Sequence, residues 1–234
     1  MIPGIDVSHW QKEIDWKEVK KSGIRFAFYK ATEFVPGSTK LYVDAELFHN
    51  AAGTAENRIH AGPYHFYRTH IPALTQAFAF LDTIKSLPFN LRPVLDLELA
   101  GKHGKPLCDD VLIFCEAVED SLGVKPLIYS SGGFWRSYMI YGHFSNVACF
   151  TGYPLWLAQW GFYMPKPLYP FTGPAFWQYS QTGRIPGIVT HVDLDWFMGG
   201  EIEILPYLYP NSSGLIKDRK KQKSPRPAES ELDS

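Results

Sequence analysis

Short apolar segments rich in β-branched and aromatic residues recur along the chain, and helix-like segments separate the first of them from one another. The predicted strands lie near residues 3–7, 24–31, 60–66, 91–98, 125–130, 155–159, 175–180 and 191–195. The predicted helices lie near residues 15–22, 43–57, 72–86, 109–122 and 132–139. In the fourth helix we expect Asp109 to cap the N-terminus and Gly123 to end the helix. This alternation predicts an α/β fold built on a parallel sheet.

The number and order of these elements favour an irregular TIM-like (β/α) barrel, with five β/α units followed by three strands that lack regular helices. A doubly wound open sheet is the alternative, but it usually carries a Gly-rich phosphate turn after the first strand, and residues 4–10 form no such turn. We expect the barrel to occupy residues 1–210. Residues 211–234 are rich in Ser, Pro and charge without hydrophobic periodicity, which predicts a disordered charged tail.

The composition excludes several classes of partner and site. The net charge of −1 argues against nucleic acid or an anionic membrane as the main partner. The three cysteines, Cys108, Cys115 and Cys149, have no disulfide-framework or zinc-site spacing. We expect no bound metal and no cofactor. The chain has no stretch of about 18 apolar residues, so we expect no transmembrane segment. Its first residues lack the pattern of a secretory signal, which leads us to expect a cytoplasmic protein until it is released.

Two acids, Asp96 and Glu98, end the predicted strand Pro93-Val-Leu-Asp-Leu-Glu98. Residues two apart on a strand share a face, so both carboxyl groups are expected on the same side of the sheet. Burying an unpaired charge is costly, and the ionisation of each acid opposes that of the other. This arrangement separates two pKa values, as acid–base catalysis requires, and it predicts an active site at this strand end.

Further acids fall where other predicted strands meet the same end of a barrel, namely Asp6 at the first strand and Asp193 and Asp195 at the eighth. Active-site residues of such barrels lie at the C-terminal ends of the strands. Three other interpretations stay open: Asp6 caps a turn, Asp193 and Asp195 accept hydrogen bonds from loop backbones, or the cluster binds Ca²⁺ or Mg²⁺.

Aromatic residues surround the same predicted rim, at Tyr64, in the segment 156–160 and in the segment Trp177-Gln-Tyr179. Each segment combines a flat apolar ring with a polar group, which suits the binding of sugars. Packing in the core is the alternative for any one of these rings.

The ordered motifs together resemble glycoside hydrolase family 25, the Chalaropsis-type lysozymes (N-acetylmuramidases). The motifs are Gly4-Ile-Asp-Val-Ser-His-Trp10, Phe26-Ala-Phe-Tyr-Lys-Ala-Thr32, Tyr64-His-Phe66, Pro93-Val-Leu-Asp-Leu-Glu98, Trp177-Gln-Tyr179 and Val192-Asp-Leu194. The resemblance implies cleavage of the β-1,4 bond between N-acetylmuramic acid and N-acetylglucosamine in bacterial peptidoglycan. The catalytic residues it implies are Asp6, Asp96, Glu98 and Asp193. The substrate-binding residues that we expect are Trp10, Lys30, Tyr64, Trp156, Gln159, Trp177, Tyr179 and Asp195.

In the mechanism implied by this resemblance, Glu98 is the general acid, and Asp96 assists at the anomeric carbon by orienting the N-acetyl group of the substrate and stabilising the cation that forms. From geometry alone, direct nucleophilic attack by Asp96 is the alternative. The sequence leaves open whether the anomeric configuration is retained or inverted. It also departs from the family, because Asp195 stands where an Asn is usual, and an added negative charge there would alter the pH optimum.

We expect a monomer that acts at the bacterial cell wall after release by a phage holin or another route, as a phage endolysin does. A non-catalytic barrel that binds cell-wall glycan is the main alternative. A metal-dependent hydrolase using the same carboxylates is a further one.

Overall fold

The computed structural model describes residues 1–99, 101–102, 104–140 and 147–209. The strands are β1 (Ile2–Val7), β2 (Phe26–Phe34), β3 (Leu41–Val43), β4 (His60–Phe66), β5 (Val94–Asp96), β6 (Leu127–Ser131), β7 (Leu155–Ala158), β8 (Phe176–Gly183) and β9 (Val192–Phe197). The α-helices are α1 (Trp16–Lys21), α2 (Leu47–Glu56), α3 (Ala73–Ile84), α4 (Lys105–Leu122) and α5 (Gly132–Phe134). A π-helical segment, Trp135–Ile140, continues α5, and short 3-10 helices span His9–Gln11, Ala148–Phe150 and Leu205–Tyr207.

Eight of the strands form a closed barrel. The strand order is β1-β9-β8-β7-β6-β5-β4-β2, and the pairing of β1 with β2 closes the ring, while β3 pairs with β2 alone as an antiparallel extension. Helices follow β1, β2 with its extension, β4, β5 and β6. The predicted irregular barrel with five β/α units is therefore confirmed, and the alternative of an open sheet is wrong because both edges are paired.

The last strand runs against its neighbours. Strand β9 is antiparallel to both β1 and β8, whereas the other seven strands of the ring are mutually parallel. Only residues 184–191 connect β8 to β9, and a short loop without a crossover helix can join only antiparallel neighbours. The prediction of a wholly parallel barrel is thus wrong at this strand, and the start of β9 lies at the rim where the other strands end.

Helix α4 begins earlier than predicted. Its N-cap is Gly104, so Asp109 is not a cap; its carboxylate lies within the first turns and pairs with Lys105 at 3.0 Å. The predicted C-terminus is confirmed, because Gly123 adopts a left-handed conformation with φ of 75° and donates its backbone N–H to the carbonyl of Glu119 at 2.7 Å. Glycine reaches this conformation without the steric cost that a Cβ would add.

Two apolar layers follow from the alternation of side chains along each strand. One set of strand residues packs against the helices and forms the outer core. The opposite set fills the barrel, and its buried members are Ile2, Phe26, Phe28, Val94, Leu127, Tyr129, Trp156, Phe176 and Phe197. Leu91 and Ile204, which lie outside the strands, complete this inner layer. The interior is therefore a packed core at one end, and side chains further along the same inner faces reach the opposite end.

Among the described residues, no helix has the length and apolar character needed to cross a bilayer. The predicted charged tail over residues 211–234 lies outside the described residues.

Candidate active site

The inner faces of the strands change from apolar to polar toward one end of the barrel. On β1 the inner side chain of Ile2 gives way to Asp6, on β5 Val94 gives way to Asp96, and on β8 Phe176 is followed by Gln178. The full polar layer comprises Asp6, Lys30, Tyr64, Asp96, Tyr129, Gln178, Asp193 and Asp195. Because β9 is antiparallel, Asp193 near its start pairs directly with Asp6 near the end of β1. The acids of three separate strands are therefore brought to one rim.

Gln178 is the central hydrogen-bonding residue of this layer. Its Nε2 donates to Oδ2 of Asp6 at 2.8 Å and to Oδ2 of Asp193 at 3.2 Å. Its Oε1 accepts from the hydroxyl of Tyr129 at 3.0 Å and from Nε1 of Trp160 at 3.1 Å. Both donors and both acceptor positions of the amide are thus used, which suits a side chain that is 2% exposed.

Asp195 lies beneath the rim. Asp195 is only 1% exposed, and its Oδ1 accepts a hydrogen bond from Nε1 of Trp156 at 2.8 Å. Burial raises the pKa of Asp195 well above its usual range, although the hydrogen bond from the indole N–H of Trp156 acts to lower that pKa. Asp195 and Trp156, both predicted to bind substrate, are buried in this structure.

Asp96 and Glu98 meet at the end of β5, as predicted from their spacing. Asp96 is 6% exposed, and its Oδ1 is buried without a hydrogen-bond partner among the described residues. Burial, followed by the charge of Glu98, raises the pKa of Asp96 well above its usual range. Glu98 lies two residues further on, where its side chain is exposed at the mouth. Desolvation by the surrounding barrel raises the pKa of Glu98, and the positive charges of Lys30 and Arg68 partly offset this by lowering the pKa.

A cluster of two cations and one acid flanks this pair. Glu33 accepts a hydrogen bond from Nζ of Lys30 at 2.8 Å and another from Nε of Arg68 at 3.0 Å. Both cations also lie over the ring of Phe66, at 5.0 Å and 4.6 Å from its centroid. Burial would raise the pKa of Glu33, but the hydrogen bonds and charges of its two partners outweigh burial and lower the pKa. Lys30 is therefore held by Glu33 beside the acids.

Asp193 has the most informative pKa of the cluster. Burial, and then the charge of Glu98, raises the pKa of Asp193 to about 6. Glu98, just after the end of β5, therefore lies close enough to Asp193 on β9 for its charge to act on that carboxyl. The acids form one electrostatically connected group, which is the arrangement that separates the pKa values of neighbouring carboxyls.

The predicted aromatic residues fall on different sides of the barrel wall. Tyr64 lies inside, where burial and then the charges of Asp6, Asp96 and Asp44 raise the pKa of its hydroxyl. Trp10 follows β1 at the rim, is 72% exposed, and packs against His9 with 4.6 Å between ring centroids.

The remaining members of the predicted set lie away from the interior. Trp177 and Tyr179 flank Gln178 and therefore point to the outer face, where Tyr179 stacks on Trp196 with 5.7 Å between their ring centroids. Gln159 is exposed, and its side chain donates to the carbonyl of Tyr163 at 3.4 Å. These positions do not face the acids.

Sequence reasoning missed Tyr129 and Arg68, and it placed Gln178 and Trp160 in rim segments without naming them as site residues. Period-two alternation would have identified Gln178, because it shares an inner face with Phe176 and stands between the two aromatic residues that drew attention. The same alternation assigns Trp160 and not Gln159 to the inner face beyond Trp156 and Ala158. No comparable signal marks Arg68, which follows the end of β4.

Comparison with known proteins agrees with this geometry. A family model described as "Glycosyl hydrolases family 25" matches residues 5–188. The uncharacterized protein YegX of Escherichia coli O157:H7 is 37% identical over 213 residues, covering 88% of this chain and 73% of the relative. Lysozyme M1 of Streptomyces globisporus is 31% identical over 218 residues, covering 87% and 70% respectively.

Solved structures show the same architecture. The bacterial lysozyme from Streptomyces coelicolor superposes with a TM-score of 0.74 at 28% identity, over 88% of this chain and 96% of that structure. A family 25 glycosyl hydrolase from Bacillus anthracis gives a TM-score of 0.73 at 27% identity, over 88% and 93%. The resemblance carried by the sequence motifs is thus confirmed: the chain belongs to glycosyl hydrolases family 25 and is a glycoside hydrolase.

Proposed function

We propose that this protein is a lysozyme that hydrolyses the β-1,4 bond between N-acetylmuramic acid and N-acetylglucosamine in bacterial peptidoglycan. Family membership and the relatives named as lysozymes support this substrate class. The observation that carries the proposal is the pair Asp96 and Glu98, which occupy one inner face at the barrel mouth, each with a raised pKa. An acid that keeps its proton beside a second acid is what glycosidic cleavage requires.

Glu98 acts as the general acid in this proposal. It stands at the open end of the pair, where the oxygen of a leaving sugar can reach it, and its raised pKa keeps a proton available toward neutral pH. Protonation of the glycosidic oxygen by Glu98 lets the bond to the anomeric carbon break.

Asp96 assists on the anomeric side. Asp96 is 6% exposed although its Oδ1 is buried, so the other carboxyl oxygen is left to accept a hydrogen bond from the N–H of the substrate's N-acetyl group. Such a hydrogen bond would orient the acetyl oxygen for attack on the anomeric carbon. The same carboxyl would stabilise the positive charge that develops there.

The surrounding residues shape the cleft and adjust its charge. Asp6 and Asp193 are held by Gln178, Lys30 is held by Glu33, and Tyr64 lies between the two sides of the site. Exposed Trp10 at the rim offers a ring on which a sugar can stack. We place the action of the enzyme at the bacterial cell wall and propose that it works as a monomer.

The direct test compares wild type with Glu98→Gln in the clearing of a suspension of purified bacterial walls. We expect the variant to lose at least about a hundredfold in rate, the usual scale for removal of a general acid. Glu116→Gln, which changes an exposed acid on α4, is the matched control and should behave as wild type. Equal clearing by wild type and Glu98→Gln would reject the proposal.

Mass analysis of the digested glycan identifies the bond. Muramic acid at the new reducing ends supports a muramidase, whereas glucosamine at those ends would make the enzyme a glucosaminidase. Retention of the protein on walls without new reducing ends would instead indicate a barrel that only binds glycan.

A further inference from the structure

The carboxyl groups of Asp6 and Asp195 lie next to each other on the inner face of the barrel. In the antiparallel pairing of β1 with β9, Asp6 is opposite Asp193 and Gly4 is opposite Asp195, so Asp6 and Asp195 are diagonal neighbours on the inner face. Gly4 has no side chain to separate them, and the two carboxyls lie within hydrogen-bonding reach of each other. Two ionised carboxylates can only accept hydrogen bonds, so neither can donate a hydrogen bond to the other.

The hydrogen bonds around the pair leave one oxygen unsatisfied. Oδ1 of Asp195 accepts from Trp156, and Oδ2 of Asp6 accepts from Gln178. Oδ2 of Asp195 is buried without a hydrogen-bond partner among the described residues. Gln178 cannot supply a donor to it, because its Oε1 faces the hydroxyl of Tyr129 and the indole N–H of Trp160, which fixes its NH2 group toward Asp6 and Asp193.

We propose that Asp6 and Asp195 hold one proton between them, with Asp6 donating it to Oδ2 of Asp195. A single proton satisfies the unpaired oxygen and removes the repulsion between two buried charges. Asp195 is then a positioning residue that acts on the cleft through Asp6.

The charged group that faces this pair, Asp193 on β9, favours retention of the proton. Tyr64 on β4 and Tyr129 on β6 also face the pair, but both have raised pKa values, so they stay neutral and add no charge. Burial, and then the charges of Asp195 and Asp193, raises the pKa of Asp6 well above its usual range. The cations Lys30 and Arg68 act on the opposite side of the site, where their charges oppose the raised pKa of Asp96.

The shared proton defines what Asp6 can do. A neutral Asp6, with one oxygen bound to Gln178 and the other to Asp195, is neither a base nor a nucleophile at neutral pH. It contributes shape and hydrogen bonding, and the negative charge of the rim is left to Asp193 and to the Asp96–Glu98 pair. This inference concerns the folded protein itself and does not rest on the proposed function.

Carbon-13 NMR of protein labelled at aspartate Cγ tests the proposal directly. The Asp6 and Asp195 signals are assigned by through-bond correlation to the backbone, which needs no variant. We expect one of these two carboxyls to stay in the protonated range of chemical shift at pH 6, and the two signals to change together as pH rises further. Both signals at the ionised position at pH 6 would overturn the proposal, whether or not the protein cleaves glycan.

Variants give a second, thermodynamic readout. In Asp6→Asn the side-chain amide can donate to Asp195 without a titrating proton, so this variant mimics the proposed protonated state. Since the folded wild type retains a proton that the unfolded chain releases above its own pKa of about 3.9, unfolding of wild type becomes more favourable as pH rises. Relative to Asp6→Asn, the unfolding equilibrium constant of wild type should increase up to tenfold per pH unit between about pH 4 and the pKa of the pair.

Urea unfolding from pH 4 to pH 8 measures this difference. Asp120→Asn, an exposed aspartate on α4, is the matched control and should follow wild type. Identical pH dependence for wild type and Asp6→Asn would contradict a shared proton. If Asp6→Asn does not fold, the NMR titration of wild type decides.

Discussion

At the scale of single residues, Gln178 holds the site together more than any acid does. One buried amide connects Asp6 and Asp193 to Tyr129 and Trp160 through four hydrogen bonds. Because the amide is neutral, it can orient the acids without adding to their charge. Loss of this one side chain would leave donors and acceptors unpaired on both sides of the cleft.

We predict that Gln178→Ala lowers the free energy of unfolding by about 1–3 kcal/mol, the usual cost of leaving buried polar groups unpaired. Activity on walls should fall as well, since Asp6 and Asp193 lose a common donor. Urea unfolding and wall clearing measure the two effects. Gln159→Ala removes an exposed glutamine nearby and should change neither by a comparable amount.

A second prediction at this scale concerns pH. Arg68 lowers the pKa of Glu98 through its positive charge, so Arg68→Gln should raise that pKa. Because Glu98, the proposed general acid, must be protonated to act, the descending limb of kcat/KM should move to higher pH in the variant. Arg25→Gln, at an exposed arginine, serves as the control. A limb that stays in place, or moves to lower pH, would show that Arg68 does not act on the general acid.

At the scale of elements, the sequence predicts the strands well because apolar runs mark them. Its errors arise where long-range geometry decides. The direction of β9 depends on the length of the connection after β8, and hydrophobic pattern alone does not show that direction. The N-terminus of α4 lies at Gly104 because the backbone turns there with φ of 63°, which overrides the capping preference of Asp109.

The candidate site divides in the same way. Asp6, Asp96, Glu98 and Asp193 could be predicted because strand ends deliver them to one rim. The outward direction of Trp177 and Tyr179 could not be read from their aromatic character, since only the pleat decides which residues of β8 face inward. The burial of Asp195 depends on its contact with Trp156 from β7, which is distant in sequence.

Helix α4 provides a prediction about backbone conformation. Gly123→Ala should destabilise the protein by about 1–2 kcal/mol, because φ of 75° at this position is unfavourable for a residue with a Cβ. No neighbouring atom would clash with the added methyl group. Gly173→Ala is the matched control, because a Cβ at Gly173 would also meet no neighbouring atom and this residue is not among the glycines with positive φ. Thermal unfolding measures both variants, and an equal loss of stability in the two would argue against a conformational cause.

At the scale of the whole molecule, the rim around the acids is not uniform. The loop after β7 is fixed at its base by Gly161, whose N–H donates to the carbonyl of Tyr179, and by Trp160, whose indole N–H reaches Gln178. Beyond this base, Phe162, Tyr163 and Met164 are largely exposed. Neighbouring exposed apolar groups of this kind are typical of surfaces that contact a partner, so we test this loop for contact with the cell wall.

If the proposed function is correct, we predict that Phe162→Ser with Tyr163→Ser weakens retention on purified walls by roughly tenfold, a loss of about 1.4 kcal/mol. The free energy of unfolding should change by less than about 0.5 kcal/mol, since neither side chain is packed. Co-sedimentation with walls measures retention, and Phe48→Ser alters an exposed ring on α2 for comparison. Unchanged retention would assign this loop no role in wall contact.

The position of β9 between β1 and β8 has a consequence for synthesis. A nascent chain carries Asp6, Asp96 and Glu98 long before the ribosome completes the strand that joins the two edges. Until then, the first and penultimate strands of the ring each lack a neighbour, and Asp193 and Asp195 do not yet exist. A product that ends before β9 would therefore hold Glu98, the proposed general acid, without an enclosed cleft, and the proposed hydrolysis would begin only once β9 is in place.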